Sequence, residues 1–289
     1  MTPGNLTAKL RPLLVLGRVS NLPTVWSNCL AGWWLGGGGH VGKFFLLGLG
    51  ATCVYVGGMY LNDVCDAPFD AMYRRERPIP AGTIAPRTVG WLSAAWLAAG
   101  TLLLLALGKA TAILCLLLVA CVVTYDCVHK FITFSPALMA ACRFLLYLAA
   151  ATTAVEGITG LVVWSSLVLA AYILGLSYLA RKESARGVLS AWPAYLLVAP
   201  ILLALVVNDG DYRSRGLLLS TLLGAWLVHC LRSTFWAATA NVPYTVSGLL
   251  AGIVLVDFLA AADVPWPLQL VFALLFVAAR LFQRFIPAT

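Results

Sequence analysis

The chain has 289 residues, of which 62% are hydrophobic and 10% charged, and its mean hydropathy is +0.93. Soluble domains carry roughly 25% charged residues and about 45–50% apolar ones, so a water-soluble globule, a coiled coil, a disordered chain and a nucleic-acid-binding module are excluded. The net charge of +8 needs a topological explanation instead, because basic residues at membrane edges set orientation.

Ten apolar runs follow one another: Leu22–Leu35, Phe44–Leu61, Val89–Leu107, Ala110–Thr124, Ala137–Val155, Leu161–Ala180, Ala191–Val207, Gly216–Leu231, Thr245–Ala262 and Trp266–Phe282. Lipid offers no partner to exposed backbone, so the runs are expected as helices. The expected fold is an all-α, polytopic transmembrane bundle forming one domain over residues 1–289. Several runs fall short of the ~20 residues of a straight span. The first is expected to start near Leu13, passing Arg18 and Asn21 before Pro23, and reads as a retained helix because no small-residue cleavage site follows it.

With the N-terminus in the cytoplasm, alternation places fourteen basic residues inside and only Lys43, Lys109, Arg213 and Arg215 outside, with Arg143 within a span. The N- and C-termini are thus expected in the cytoplasm, in a bacterial inner membrane. Two charged loops, Asn62–Arg87 and Arg181–Ser190, lie on that side four spans apart. That spacing suggests two four-helix halves of like orientation, a parallel repeat. The eight cysteines form no CxxC pair and read as small apolar fillers. The three histidines are too scattered for a zinc site, and no phosphate-loop pattern is present.

The informative stretch is Asn62-Asp63-Val64-Cys65-Asp66-Ala67-Pro68-Phe69-Asp70. Offsets of i, i+3 and i+7 align Asp63, Asp66 and Asp70 on one helical face, at a helix end that Pro68 perturbs. Three like charges at a membrane edge repel unless a cation sits among them. Hard oxygen ligands suit Mg²⁺, which takes one or two carboxylates and completes its shell with water and substrate phosphate. Arg74, Arg75 and Arg77 follow, and guanidiniums bind phosphate oxygens by paired hydrogen bonds. Acids and arginines on one loop therefore point to a metal-bound polyanion.

Asn62-Asp63-x-x-Asp66-x-x-x-Asp70 followed by Arg77-Pro78-Ile79-Pro80-Ala81-Gly82 resembles the first signature of the UbiA superfamily of intramembrane prenyltransferases. These enzymes move an isoprenoid chain from its diphosphate to an aromatic or other lipophilic acceptor with Mg²⁺. Tyr125 and Lys130 resemble the family's tyrosine-to-lysine element on the next cytoplasmic loop, and Arg18 and Asn21 the polar positions of its first helix. Family members have nine helices, so Trp266–Phe282 is expected as an additional C-terminal span. The resemblance implies that Asn62, Asp63, Asp66 and Asp70 hold Mg²⁺ and that Arg74, Arg77 and Lys130 bind the diphosphate. It makes Asp63, Asp66 and Lys130 the catalytic set, and has Arg18, Asn21 and Tyr125 place the acceptor.

One departure concerns the family's second aspartate-rich motif, after helix six. Here that place reads Leu176-Ser177-Tyr178-Leu179-Ala180-Arg181-Lys182-Glu183-Ser184, with Glu183 its only acid, and resembles the EboC-like subgroup. Arg181 and Lys182 either neutralise the diphosphate directly in place of a second metal ion or mark a chain that has lost the chemistry. The rival reading is accordingly a lipid or lipophilic-metabolite carrier on the same bundle. The membrane CDP-alcohol phosphotransferases are set aside, because their DxxDGxxAR pattern fails where Ala67 follows Asp66. Two intramembrane charges remain. Arg143, about 9 Å into span five at ~1.5 Å per residue, reaches toward the pocket beneath the metal. Asp257 reads as a charge near the outer interface, too far away to pair with it. His129 reads as an interfacial polar residue. The expected partners are an isoprenoid diphosphate donor, a lipophilic acceptor and the bilayer, with no nucleic acid.

Overall fold

A computed structural model describes residues 3–181, 191–237 and 239–288. The helices are α1 (Pro3–Leu16), α2 (Leu22–Leu35), α3 (Val41–Tyr73), α4 (Pro86–Leu105), α5 (Lys109–Val128), α6 (Ser135–Ala151), α7 (Gly160–Arg181), α8 (Trp192–Leu196), α9 (Ala199–Val207), α10 (Arg213–Phe235), α11 (Val242–Ala260) and α12 (Trp266–Phe282). No strand occurs among the described residues, as lipid demands of an unclosed chain. Proline sits in the first turn of α2, α4, α6, α8, α9, α11 and α12. There its missing N–H costs nothing and its fixed φ starts the helix.

Six helices, α3, α4, α5, α7, α10 and α11, are long and apolar enough to cross a membrane. Large side chains such as Phe45, Trp91, Ile113, Trp164, Leu218 and Val277 are exposed on the outside of the bundle, a surface that only lipid covers favourably. The chain is an integral membrane protein. Inside, Leu30, Tyr147, Leu169, Tyr172, Leu223, Ile253 and Phe272 knit α2, α6, α7, α10, α11 and α12 into the largest core. A second core joins α2 to α6 through Val25, Leu47, Val54, Leu104 and Leu146. Helices α3 and α4 approach closely at paired glycines: a Cβ on Gly100 would lie 2.8 Å from the Gly50 carbonyl oxygen, the small-residue contact typical of membrane helices.

Two boundaries differ from the sequence expectation. The first span does not run on from Leu13. Instead α1 ends at Leu16, a 3₁₀ turn covers Val19–Asn21, and α2 starts at Leu22. The break is Arg18, which has a left-handed backbone (φ 41°). The second span does not stop at Leu61 but continues through Pro68 to Tyr73. At 33 residues α3 is about 50 Å long at ~1.5 Å per residue, so the three aspartates stand on the last turns of a spanning helix and not on a loop. They are also buried rather than solvated, with Asp63 and Asp66 each 6% exposed and Asp70 2%.

Candidate active site

Burial forces the acids on α3 to find cations, since an isolated buried carboxylate is strongly disfavoured. Each does so. Arg77 Nη1 lies 3.2 Å from Asp63 Oδ1 and 2.9 Å from Asp70 Oδ2, so one nitrogen joins carboxylates two turns apart. Arg18 Nη2 reaches the same Asp63 Oδ1 at 3.2 Å and the Asn62 side-chain oxygen at 3.2 Å. Burial opposes the Arg18 charge, but Asp63 beside it and the surrounding groups outweigh that cost and raise its pKa above the ordinary arginine value. These bonds give the strained left-handed turn at Arg18 a purpose: it aims the guanidinium at α3.

Asp66 faces α5. Its two oxygens pair with His129 Nε2 at 3.0 Å and Lys130 Nζ at 3.2 Å, and the Lys130 ammonium also sits 4.0 Å above the Phe69 ring. One turn back, buried Asp126 accepts a 3.1 Å bond from the Asn62 amide, and Tyr125 stacks on His129 with ring centroids 5.0 Å apart. Sequence reasoning passed over Asp126 and set His129 aside as interfacial. Their positions one and four residues after Tyr125 bring them to the end of α5 that meets the acids, a signal available from helical spacing.

Beside Asp66 lies a cavity of about 280 Å³. Arg18, Asn21, Asn62, Asp66, Arg74, Arg77, Tyr125, Arg143 and Arg181 all border it, as do the apolar Ile173, Leu176, Val246, Leu250 and Ile253. A second cavity of about 320 Å³ is bordered by Arg18, Asp63, Arg74, Glu76 and Arg77. Most of the sequence-predicted polar residues are thus brought to one end of the bundle. Lys130 stands behind Asp66, and Asp70 is buried beside Arg77. Lys182 and Glu183 lie outside the described residues. Arg181 borders the cavity, but its Nη1 donates to the carbonyls of Ile132 (3.2 Å) and Thr133 (2.7 Å) and to Ser135 Oγ (3.2 Å), clamping the loop between α5 and α6.

Asp257 corrects the sequence reading. It is completely buried within the bundle and accepts bonds from Ser27 Oγ (2.5 Å) and Asn28 Nδ2 (2.7 Å), so it is not a solvated surface charge. Asn28 in turn accepts a 2.6 Å bond from Arg143 Nη1, whose guanidinium also reaches the Thr24 carbonyl and hydroxyl. Arg143 and Asp257 do not touch; Asn28 on α2 links them. As the spacing indicated, they form no direct pair, but both bond to the same asparagine.

No three His, Cys, Asp or Glu side chains among the described residues converge as a ready-made metal cage. The donor set still fits a hard cation. Asp70 Oδ1 and Asp126 Oδ2 are buried oxygens without a hydrogen-bond partner, and Mg²⁺ usually takes only one or two carboxylates and draws its remaining ligands from phosphate and water.

The chain is thus a membrane-embedded helical bundle with a cavity lined by both charged and apolar side chains. The UbiA prenyltransferase family model matches residues 21–264, and the chain belongs to that family. Helix α12 lies beyond the matched range. A digeranylgeranylglyceryl phosphate synthase from Ignicoccus hospitalis is 36% identical over 105 residues, a stretch that covers 36% of this chain and 34% of that protein. The match therefore spans about a third of the relative's length. Among solved structures, a UbiA homologue from Aeropyrum pernix superposes with TM-score 0.67 at 15% identity, covering 86% of this chain and 98% of the other. A UbiA homologue from Archaeoglobus fulgidus bound to GPP and Mg²⁺ superposes with TM-score 0.54 at 15% identity, covering 96% and 97%. These likenesses show the fold.

Proposed function

We propose that the chain transfers an isoprenoid group from an allylic diphosphate to a lipophilic acceptor in a Mg²⁺-dependent reaction, with the acid-bearing end of the bundle on the cytoplasmic side. One observation carries the reading: Asp66 and the guanidiniums of Arg18, Arg74 and Arg77 border a cavity that Ile173, Leu176, Leu250 and Ile253 also line. Such a cavity is suited to a ligand with a charged head and a hydrocarbon tail, each buried methylene contributing roughly 0.8 kcal/mol.

Asp63, Asp66 and Asp70, with Asn62, would hold Mg²⁺, which when bound supplies charge neutralisation to the departing diphosphate. The acids are already matched by Arg18, Arg77, His129 and Lys130. Arg18, Arg74, Arg77 and Lys130 would bind diphosphate oxygens and stabilise the charge that grows on them as the C–O bond breaks. Ile173, Leu176, Leu250 and Ile253 exclude water from the allylic carbon. Asn21 and Tyr125, which border the same cavity, place the acceptor. Arg18, first read as an acceptor ligand, is assigned to the donor side because it holds Asp63 and Asn62. Arg181 acts by holding the α5–α6 loop, whose Lys130 meets Asp66.

The experiment is pyrophosphate release from geranyl diphosphate by the purified chain in lipid vesicles. Release that requires both Mg²⁺ and an added lipophilic acceptor supports transfer. Tight retention of the diphosphate without turnover supports the carrier reading.

A further inference from the structure

The chain beyond α12 returns to the site. Helix α12 is firmly seated: Phe272 is fully buried and stacks on Phe258 with centroids 5.2 Å apart, and Gln283 Nε2 donates to the Ser247 carbonyl at 3.0 Å. The segment that follows bonds to the turn before α2. Asn21 Nδ2 donates to the Ala288 carbonyl at 2.9 Å, and Ser20 Oγ meets the Pro287 carbonyl at 3.5 Å. Ser20, Asn21 and Ala288 are all buried. Ala288 borders the cavity lined by Asn62 and Asp66, whereas Pro287 borders the one lined by Asp63 and Glu76. Two consecutive residues therefore border the two cavities that meet the acid cluster.

We propose that Ile286–Ala288 is a strap that forms part of the substrate site and closes the reaction cavity against water at the rim beside Asn21. The proposal rests on the transferase reading of that cavity. A strap pinned by its backbone carbonyls to the turn before α2 leaves its side chains free, so Pro287 and Ala288 set the width of the opening while Ser20 and Asn21 fix its position. With the strap in place the allylic carbon meets the acceptor. With the strap gone, water competes: the C–O bond to diphosphate breaks, pyrophosphate leaves with the electron pair, and a water oxygen bonds to the carbon and gives up a proton, yielding the alcohol. Helix α12 and the strap lie outside the residues that the family model matches.

The test uses the full chain carrying Ala288→Cys in detergent, with geranyl diphosphate and Mg²⁺ as the probe. Modification of residue 288 by a small thiol reagent is followed by mass spectrometry of its peptide, so the native cysteines do not count. Donor with Mg²⁺ is expected to slow modification at least about fivefold. An unchanged rate in a sample that binds the donor overturns the strap while leaving the transferase reading intact. Absence of Mg²⁺-dependent donor binding in the unsubstituted chain overturns that reading and the proposal with it. In a second measurement, a chain shortened after Phe285 is expected to keep its donor affinity within about threefold and to form geraniol at least about fivefold faster when no acceptor is present. An unchanged geraniol rate overturns the water-shielding role.

Discussion

Arg77 donates from Nη1 to Asp70 Oδ2 at 2.9 Å and from the same nitrogen to Asp63. A single guanidinium thus pairs with both the first and the last acid of the motif. If Mg²⁺ takes the same carboxylates, removing the arginine should matter most when metal is absent. Arg77→Ala is expected to lower stability by about 2–3 kcal/mol without Mg²⁺, the scale of losing hydrogen bonds to a buried charge, and by clearly less with saturating Mg²⁺. Thermal unfolding in detergent at both conditions measures the difference. Equal losses would show that metal does not share these acids.

The Arg181 clamp separates two roles that sequence could not. If its guanidinium serves the Ile132 and Thr133 carbonyls, Arg181→Gln should leave donor affinity within about threefold and make the α5–α6 loop several times more sensitive to protease. Loss of a direct charge-assisted bond to diphosphate would instead cost roughly 1.5–3 kcal/mol, a drop of tenfold or more in affinity with no change in proteolysis. Donor binding and limited proteolysis of the same preparation decide between them.

The interior relay from Arg143 through Asn28 to Asp257 is expected to be structural as well as a cavity floor. Asn28→Leu strips the bridge and leaves Arg143 and Asp257 buried without it. Breaking a buried charge network in this way costs about 3–5 kcal/mol. Asp257→Asn keeps a carbonyl oxygen for Ser27 and Asn28 and should lose much less. Folded yield and thermal midpoint in detergent rank the two variants; equal behaviour would contradict the relay.

His129 is predicted to matter more than its interfacial position in the sequence suggests. It holds one Asp66 oxygen while Lys130 holds the other. His129→Phe preserves the stack on Tyr125 and removes the pairing. Donor affinity should fall about tenfold, with acceptor KM changed little. A rise in acceptor KM with unchanged donor affinity would place His129 on the acceptor side.

The membrane bundle, the order of its apolar segments and the acid motif were legible because each rests on local signals: hydropathy, helical spacing and the cluster Asp63, Asp66 and Asp70. What stayed hidden depends on contacts between distant segments. Pro68 pointed to a helix end, yet α3 continues past it because Arg77, Arg18 and the end of α5 neutralise the acids on its last turns. Asp257 looked interfacial because its position along α11 says nothing of Ser27 and Asn28 on α2, which bury it. The meeting of Ala288 with Asn21, 267 residues apart, has no sequence signature at all. Arg18 was singled out, but its direction toward Asp63 depends on a left-handed turn that residue type does not specify.

The central claim is that the α3 acids hold Mg²⁺ for a diphosphate. The most direct test is binding of geranyl diphosphate across a Mg²⁺ titration, comparing the parent with Asp63→Asn/Asp66→Asn, substitutions that keep side-chain volume in buried positions. The account predicts that affinity in the parent rises at least about thirtyfold with Mg²⁺ and that the double variant, though folded, shows no Mg²⁺ response. A double variant that binds donor with the parent's affinity and the parent's Mg²⁺ dependence would contradict it.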